Sequence, residues 1–291
     1  MSQILANVVF LGSATFLTAI SFSLIFSTGR FFHFAHAAVI TSGAYGCFAF
    51  SRWLSLPMLV SVPFAIVTGT GIGWSLDLAI YRPLRHKGAS PLILLLASLG
   101  IYIILQNGLS MLFGDDTKVI AGSATARSFD IVGARVTGIQ LIVMGLAATV
   151  CVAKVFLLDK TRIGLALRAV ANSPELAKVS GVDFDKTMGI AFCMGSFLAS
   201  VAGLCQAFDV GMTPTMGLPM LLLGVVAVVL GGGGKTLGIA AASFLLASVQ
   251  AMAGWWLGTH WEETAAFLLL VAFLLYRPQG LLGRVSKQGS V

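Results

Sequence analysis

Charge is what this sequence has least of. Only 10% of its 291 residues are Asp, Glu, Lys or Arg, whereas 57% are hydrophobic. A soluble domain carries about 25% charged residues. So few polar groups could not cover a folded surface in water, which excludes an ordinary soluble enzyme and points to an integral membrane protein. Cysteine is scarce too: Cys47, Cys151, Cys193 and Cys205 all fall in apolar runs and form no C-x-x-C pair. No disulfide framework is expected, and the four read as small buried hydrophobes. No Lys or Arg precedes Arg30, so the first apolar run lacks the basic start of a secretory leader and reads as a retained membrane span. No nucleophile–base pair, metal constellation or pair of positioned carboxylates can be assembled.

What the chain has in abundance is long apolar runs. Charge-free or nearly charge-free stretches occur at 4–28, 34–51, 54–76, 91–113, 136–158, 187–208, 218–234, 236–257 and 264–276. A spanning helix needs about 20 mostly apolar residues, and the second, seventh and last runs are short or glycine-rich. The expected fold is therefore an all-α polytopic transmembrane bundle of eight or nine spans, forming one domain over residues 1–291. The net charge of +7 reads as membrane orientation and not as nucleic-acid binding, because the Lys and Arg residues are taken to lie in links between runs. The link YRPLRHKG carries Arg82, Arg85 and Lys87, and the tail carries Arg277, Arg284 and Lys287. Nine spans with an external N-terminus put these inside, and put the charge-balanced 114–135 loop and the acidic 258–263 link outside. Eight spans with one re-entrant piece is the alternative. Trp255, Trp256 and Trp261 read as an interfacial belt. Small residues in GTGIG at 69–73 and GSFLASVAG at 195–203 permit close helix packing.

The stretch VVLGGGGKTLG, 228–238, resembles a phosphate cradle but is not one. The P-loop pattern needs a glycine five places before Gly234, where this chain has Val229, and it needs a strand before and a helix after. Here apolar segments lie on both sides. Gly231, Gly232, Gly233 and Gly234 are read as a tight connection or hinge between two helices.

Polar residues inside the runs are few. His33 and His36 lie three apart on one helical face, among phenylalanines and close to Arg30. Metal ligation, lining of a substrate path and helix-to-helix hydrogen bonding are the three readings. Gln106, Asn107 and Gln250 are expected to bond between helices, with path lining by Gln106 and Asn107 as the alternative. Asp77 is expected to pair with Arg82 or Arg85.

The link from Asp159 to Lys186 is far longer than a turn requires and holds five basic and four acidic residues. Ile163, Leu167, Val170 and Ala171 share one helical face, with Arg168 beside them. Asn172-Ser173-Pro174 then breaks the helix. Ser173 is an N-cap, Pro174 fits the first helical position and Glu175 favours the positive helix end. The second helix runs to about Val179 and ends at Gly181. Such a pair either lies on the membrane surface or docks into a groove of a soluble partner.

Five pieces in order carry a resemblance across nearly the whole chain: FHFAH at 32–36 with SGAY at 42–45, YRPLR at 81–85, LILLLASLGIYIILQN at 92–107, TRIGLALRAVANSPELAKVSGVD at 161–183, and VVLGGGGKTLG through FLLLVAFLLYRPQGLLG at 267–283. The chain resembles the permease subunit of high-affinity branched-chain amino-acid ABC importers. That resemblance implies a non-catalytic transport subunit in the inner membrane of a prokaryote, with a cytoplasmic C-terminus. It implies two ATP-binding cassette subunits, a second permease and an extracytoplasmic substrate-binding protein as partners, with no cofactor in this chain because ATP and magnesium bind the cassettes. It also assigns the ATPase-coupling role to the 159–186 loop, through Arg162, Gly164, Arg168, Ala171, Asn172, Ser173, Pro174, Glu175, Leu176 and Gly181. The family usually has Asn-Phe-Ala-His-Gly where this chain has His33-Phe34-Ala35-His36-Ala37, and a Ser and a Pro where it has Lys235-Thr236-Leu237. Related permeases carry urea, short amides or other amino acids. An ion-coupled secondary transporter is the rival class, although it would need acids at mid-membrane.

Overall fold

The computed structural model describes residues 2–120, 128–131, 133–232, 235–276 and 280–281. Its elements are helices apart from one hairpin. In order they are α1 (Ser2–Gly29), α2 (Ala35–Arg52), α3 (Met58–Leu76), a π-helical turn (Asp77–Tyr81), α4 (Arg82–His86), α5 (Pro91–Phe113), β1 (Ser128–Ile131), β2 (Ala134–Thr137), α6 (Gly138–Lys160), α7 (Arg162–Asn172), α8 (Pro174–Val179), α9 (Phe184–Asp209), α10 (Gly217–Gly231), α11 (Thr236–Trp256) and α12 (Glu262–Tyr276). A helix satisfies its backbone groups internally, which hydrocarbon demands. β1 and β2 pair antiparallel, Ser128 opposite Thr137.

Helix starts follow side-chain chemistry. The Ser90 hydroxyl accepts from Ile93 N ahead of Pro91 in α5. Thr137 and Gln140 form a reciprocal capping box on α6, and Asp183 accepts from Lys186 N at the start of α9. These groups use backbone donors that the first turn leaves free.

α1 and α9 are the most buried of the long helices, whereas α3, α5 and α6 show most of their surface. α1 packs against α9, α10, α11 and α6, and α2 packs against α3, α9 and α5. The small residues expected to bring helices together do so: the Gly203 Cα lies against the Ile40 backbone, and Gly73 lies against the Ser196 side chain. Trp255, Trp256 and Trp261 are exposed, as an interfacial belt requires.

Six helical segments are long and apolar enough to cross a membrane: Ser2–Gly29, Met58–His86, Pro91–Phe113, Gly138–Leu158, Phe184–Asp209 and Thr236–Trp256. The expected eight or nine is not reached on that measure. α2 carries His36 and a run of small residues that lower its hydropathy, and α10 and α12 have 15 residues each, about 22 Å of helix.

Three further expectations change. Lys154 lies inside α6 and is only 6% exposed, so the basic residues are not confined to links. Cys47 and Cys205 are buried, but Cys193 is exposed, because α9 turns that side outward. The run at 54–76 becomes one continuous helical rod from Met58 to His86, with the π turn inside it.

Candidate functional site

The long link forms the expected pair of helices. The Thr161 hydroxyl accepts from Gly164 N at 3.0 Å and donates to Leu157 O at 2.7 Å. One side chain therefore ends α6 and starts α7. Gly164 lies directly against the Leu157 carbonyl and the Leu158 backbone, an approach that leaves no room for a Cβ. Ser173 caps α8 by accepting from Leu176 N at 3.4 Å, with Pro174 in the first turn and Glu175 beside it. α8 stops at Val179, and Gly181 takes a left-handed φ of +82°. There Val182 N donates to Ala177 O at 2.9 Å.

The faces of α7 differ partly from expectation. Leu167 and Val170 are buried and Ala171 half-buried, but Ile163 is exposed. The inner stripe runs through Gly164, Leu167 and Val170 because the tight turn at Gly164 sets the rotation of α7. Facing out are Arg162, Ile163, Leu165, Arg168, Asn172, Glu175, Leu176, Lys178 and Val179, which mixes four apolar side chains with charge.

One residue that sequence reasoning passed over holds this element. Arg30 has φ +52°, which ends α1 and swings its guanidinium sideways. Nη2 donates to both Ala171 O and Asn172 O, each at 2.8 Å. Those carbonyls lie at the α7 C-terminus, where acceptors lack intrahelical partners and a cation is favoured. The only signal in the sequence was an isolated Arg at the end of an apolar run.

Three residues later the chain enters the buried histidine pair. His33 Nδ1 is 3.0 Å from Tyr81 Oη, and His36 Nε2 is 2.9 Å from Ser21 Oγ. The rings are 5.6 Å apart. Among the described residues, His33 Nε2 and His36 Nδ1 have no hydrogen-bond partner. His33 also lines an apolar cavity of about 250 Å³ with Phe22, Phe32, Leu95, Leu221 and Val225. Ser98 of α5 pins the bend, bonding Phe34 N and Phe32 O. Among the described residues no group of three or more His, Cys, Asp and Glu side chains could hold a metal.

The other candidate path residues are not brought here. Asn107 is exposed and donates to Ile103 O of its own helix at 2.7 Å. Gln106 lies eleven residues beyond Leu95 on α5, about 16 Å along the axis. Gln250 is buried in α11.

Tyr81 connects the histidines to a charged cluster. The π turn places Tyr81 inward, while Arg85 Nη1 reaches Asp77 Oδ1 at 2.7 Å. Arg82, Arg85 and His86 all contact Asp185 at the head of α9, at 3.5, 3.7 and 2.7 Å. Phe184 lies beneath both Arg85 and Lys178, 5.9 and 5.5 Å from its ring centre, a cation–π arrangement. Arg85, His86, Lys178, Phe184 and Asp185 rim a groove of about 570 Å³ with the 181–183 turn. The Asp183 carboxyl is held below its usual pKa, chiefly by the Lys186 backbone N–H.

The glycine run joins α10 to α11. Gly231 lies against the backbone of Gly238 and Ile239, and Gly232 takes φ +88°. Leu281 N donates to Leu230 O at 2.7 Å. Gly233 and Gly234 lie outside the described residues. Helices on both sides give none of the strand–loop–helix context of a nucleotide cradle.

Residues 4–276 match the family described as "Branched-chain amino acid transport system / permease component". The high-affinity branched-chain amino acid transport system permease protein LivH of Escherichia coli K12 is 28% identical over 295 residues, covering 97% of this chain and 95% of that protein. BraD of Pseudomonas aeruginosa, of the same description, is 28% identical over 297 residues with the same coverage. The probable branched-chain amino acid transport permease protein LivH of Methanocaldococcus jannaschii is 25% identical over 294 residues, 97% and 92% covered.

Proposed function

The chain belongs to the branched-chain amino acid transport system permease family, and from that premise we propose that it is the transmembrane permease subunit of an ABC importer for branched-chain amino acids. It is a transport subunit and not an enzyme; hydrolysis of ATP, with its magnesium, takes place on two cassette subunits. A substrate-binding protein delivers cargo on the external face, and a second permease completes the pathway in the inner membrane.

The observation that carries this reading is the α7–α8 element. It is anchored from within by Arg30 and presents Leu165, Leu176 and Val179 outward beside Arg162, Glu175 and Lys178. A helix only resting on lipid needs no carbonyl clamp from the bundle, whereas an element that transmits force does. Arg30 joins it to the bend that carries His33 and His36, so a movement of α7 reaches the transport path through few intermediates.

Nine crossings with an external N-terminus and a cytoplasmic C-terminus fit the pairing of helix ends. Ser2 Oγ meets Gly133 O, Lys118 pairs with Met212, Arg30 meets 171–172, His86 meets Asp185 and Leu281 meets Leu230. Each pair joins ends that this alternation places on one side. The substrate path runs by His33, whose cavity is apolar enough for an aliphatic side chain. The departure at 33–37 from the usual family phrase keeps urea, short amides and other amino acids as alternatives.

The test is uptake of labelled leucine, isoleucine and valine by the reconstituted system, against urea and short amides. Glu175→Arg or Ser173→Trp is expected to abolish uptake and cassette co-purification while membrane insertion stays normal. Cassette association that survives disruption of residues 162–182 would overturn the docking role. Uptake lost to a proton uncoupler with ATP held constant would indicate an ion-coupled transporter.

A further inference from the structure

A lysine lies where a membrane helix rarely keeps one. Lys154 is in α6, six residues before its end at Lys160, about 9 Å along the axis. The residue is 6% exposed, and its Nζ donates to Ser23 Oγ of α1 at 3.3 Å. No carboxylate among the described residues pairs with it. An ammonium has three donors, and charged donors favour distances of about 2.7–2.9 Å, so one long bond to a hydroxyl leaves the group under-satisfied. Ionisable residues inside the membrane are costly and mark a functional contact by default.

Two cavities meet at this side chain. The first is a groove of about 350 Å³ whose other walls include Leu24, Thr70, Val150, Ala153, Met194 and Phe197, within the ~300–1,000 Å³ range of small-molecule clefts. It opens on the outer side of the bundle, where Phe197 and Cys193 are exposed. The second, about 110 Å³, is lined by Ser23 and Ser27, with Leu167, Arg168 and Ala171 of α7 along its far side. An apolar slot and a small hydroxyl-bearing chamber thus share one amine.

We propose that Lys154 and these two cavities form a binding site for an anionic phospholipid, with the headgroup phosphate at Lys154, Ser23 and Ser27 and an acyl chain along the groove. Charge complementarity selects this occupant. A phosphate oxygen supplies the acceptors that the ammonium lacks, and the other polar groups on the groove compete little for it: the Thr70 hydroxyl already donates to Ile66 O at 2.6 Å, and Cys193 brings only a thiol. Because α7 walls the headgroup chamber, a bound lipid touches the helix whose C-terminus Arg30 holds. Bilayer composition would then bear on the docking element directly.

The full-length chain in mild detergent, titrated with phosphatidylglycerol or phosphatidylcholine and followed by native mass spectrometry, tests this. The wild type is expected to prefer phosphatidylglycerol. Lys154→Met should weaken that lipid about fivefold, the worth of one basic residue near an anionic lipid, and Lys154→Arg should restore it. Ala153→Trp, which fills the groove and leaves the amine, should reduce both lipids, and it carries the test where Lys154→Met does not fold. An undiminished preference in Lys154→Met, or wild-type lipid binding in Ala153→Trp, overturns the proposal. So does inorganic phosphate displacing phosphatidylglycerol at equal concentration, which would put a soluble anion there. Shielding of Cys193 from maleimide in a lipid-stripped complex with its partner subunits would put protein in the groove and overturn it too.

Discussion

His33 shows how a buried polar residue is held in place when water cannot help it. Its Nδ1 has Tyr81 Oη at 3.0 Å. Tyr81→Phe removes that partner without changing shape, and an orphaned buried group costs about 1–3 kcal/mol. A lower melting temperature in detergent is expected, and an unchanged one would mean that the bond contributes nothing. Both histidines bond to other elements, His33 to Tyr81 and His36 to Ser21 of α1, and His33 also lines a cavity. Asp183 behaves differently because it is solvent-exposed. Its carboxyl is held low by the Lys186 N–H, so the folded state favours the anion. That contribution is complete above the unfolded carboxylate pKa and is lost as pH falls through the lowered folded value. Asp183→Asn should flatten the acid limb of the melting temperature against pH, and an identical limb in variant and wild type would refute the capping role.

At the scale of elements, α7 and α8 were legible nearly residue by residue. Ser173, Pro174 and Gly181 are local signals, since a cap, a fixed φ and a left-handed turn each depend on one or two neighbours. The rotation of α7 was not legible. It depends on how closely Gly164 approaches the end of α6, which turned Ile163 outward. Gly164→Val is expected to push α7 off the bundle and to lose cassette co-purification with insertion intact. Ser173→Ala should cost about 1 kcal/mol of α8 stability, seen as faster proteolysis between 172 and 182. Arg30→Met should leave α7 helical but uncouple it: cassette binding is expected to persist while uptake falls. Equal loss of both would make Arg30 a folding residue and not a mechanical link.

Across the whole molecule, one series of contacts links the α7–α8 element through Arg30 to the segment that carries His33, and continues through Tyr81 and the Asp77–Arg85–Asp185 cluster to the start of α9. It closes on the same end of the bundle from which it began. The topology can be checked in a background with the four native cysteines replaced. A membrane-impermeant maleimide should label Asp130→Cys from outside intact cells and Ser180→Cys only after permeabilisation. Labelling of both from the same side would break the alternation of helix ends.

Composition and apolar run length by themselves determined that this chain is an all-α membrane bundle, because hydrocarbon tolerates no unpaired backbone and water no such surface. Local chemistry determined the caps and the break at 172–174, and five ordered phrases determined the family. Only the tertiary structure decided which polar residues meet. Arg30 and Ala171 are 141 positions apart, and His33 and Tyr81 are 48 apart; no periodicity within one helix encodes such a pairing. It also decided that Lys154 faces inward and Cys193 outward, because in a chain apolar on nearly every face the packing of neighbours, and not the amphipathic pattern, sets the rotation of each helix.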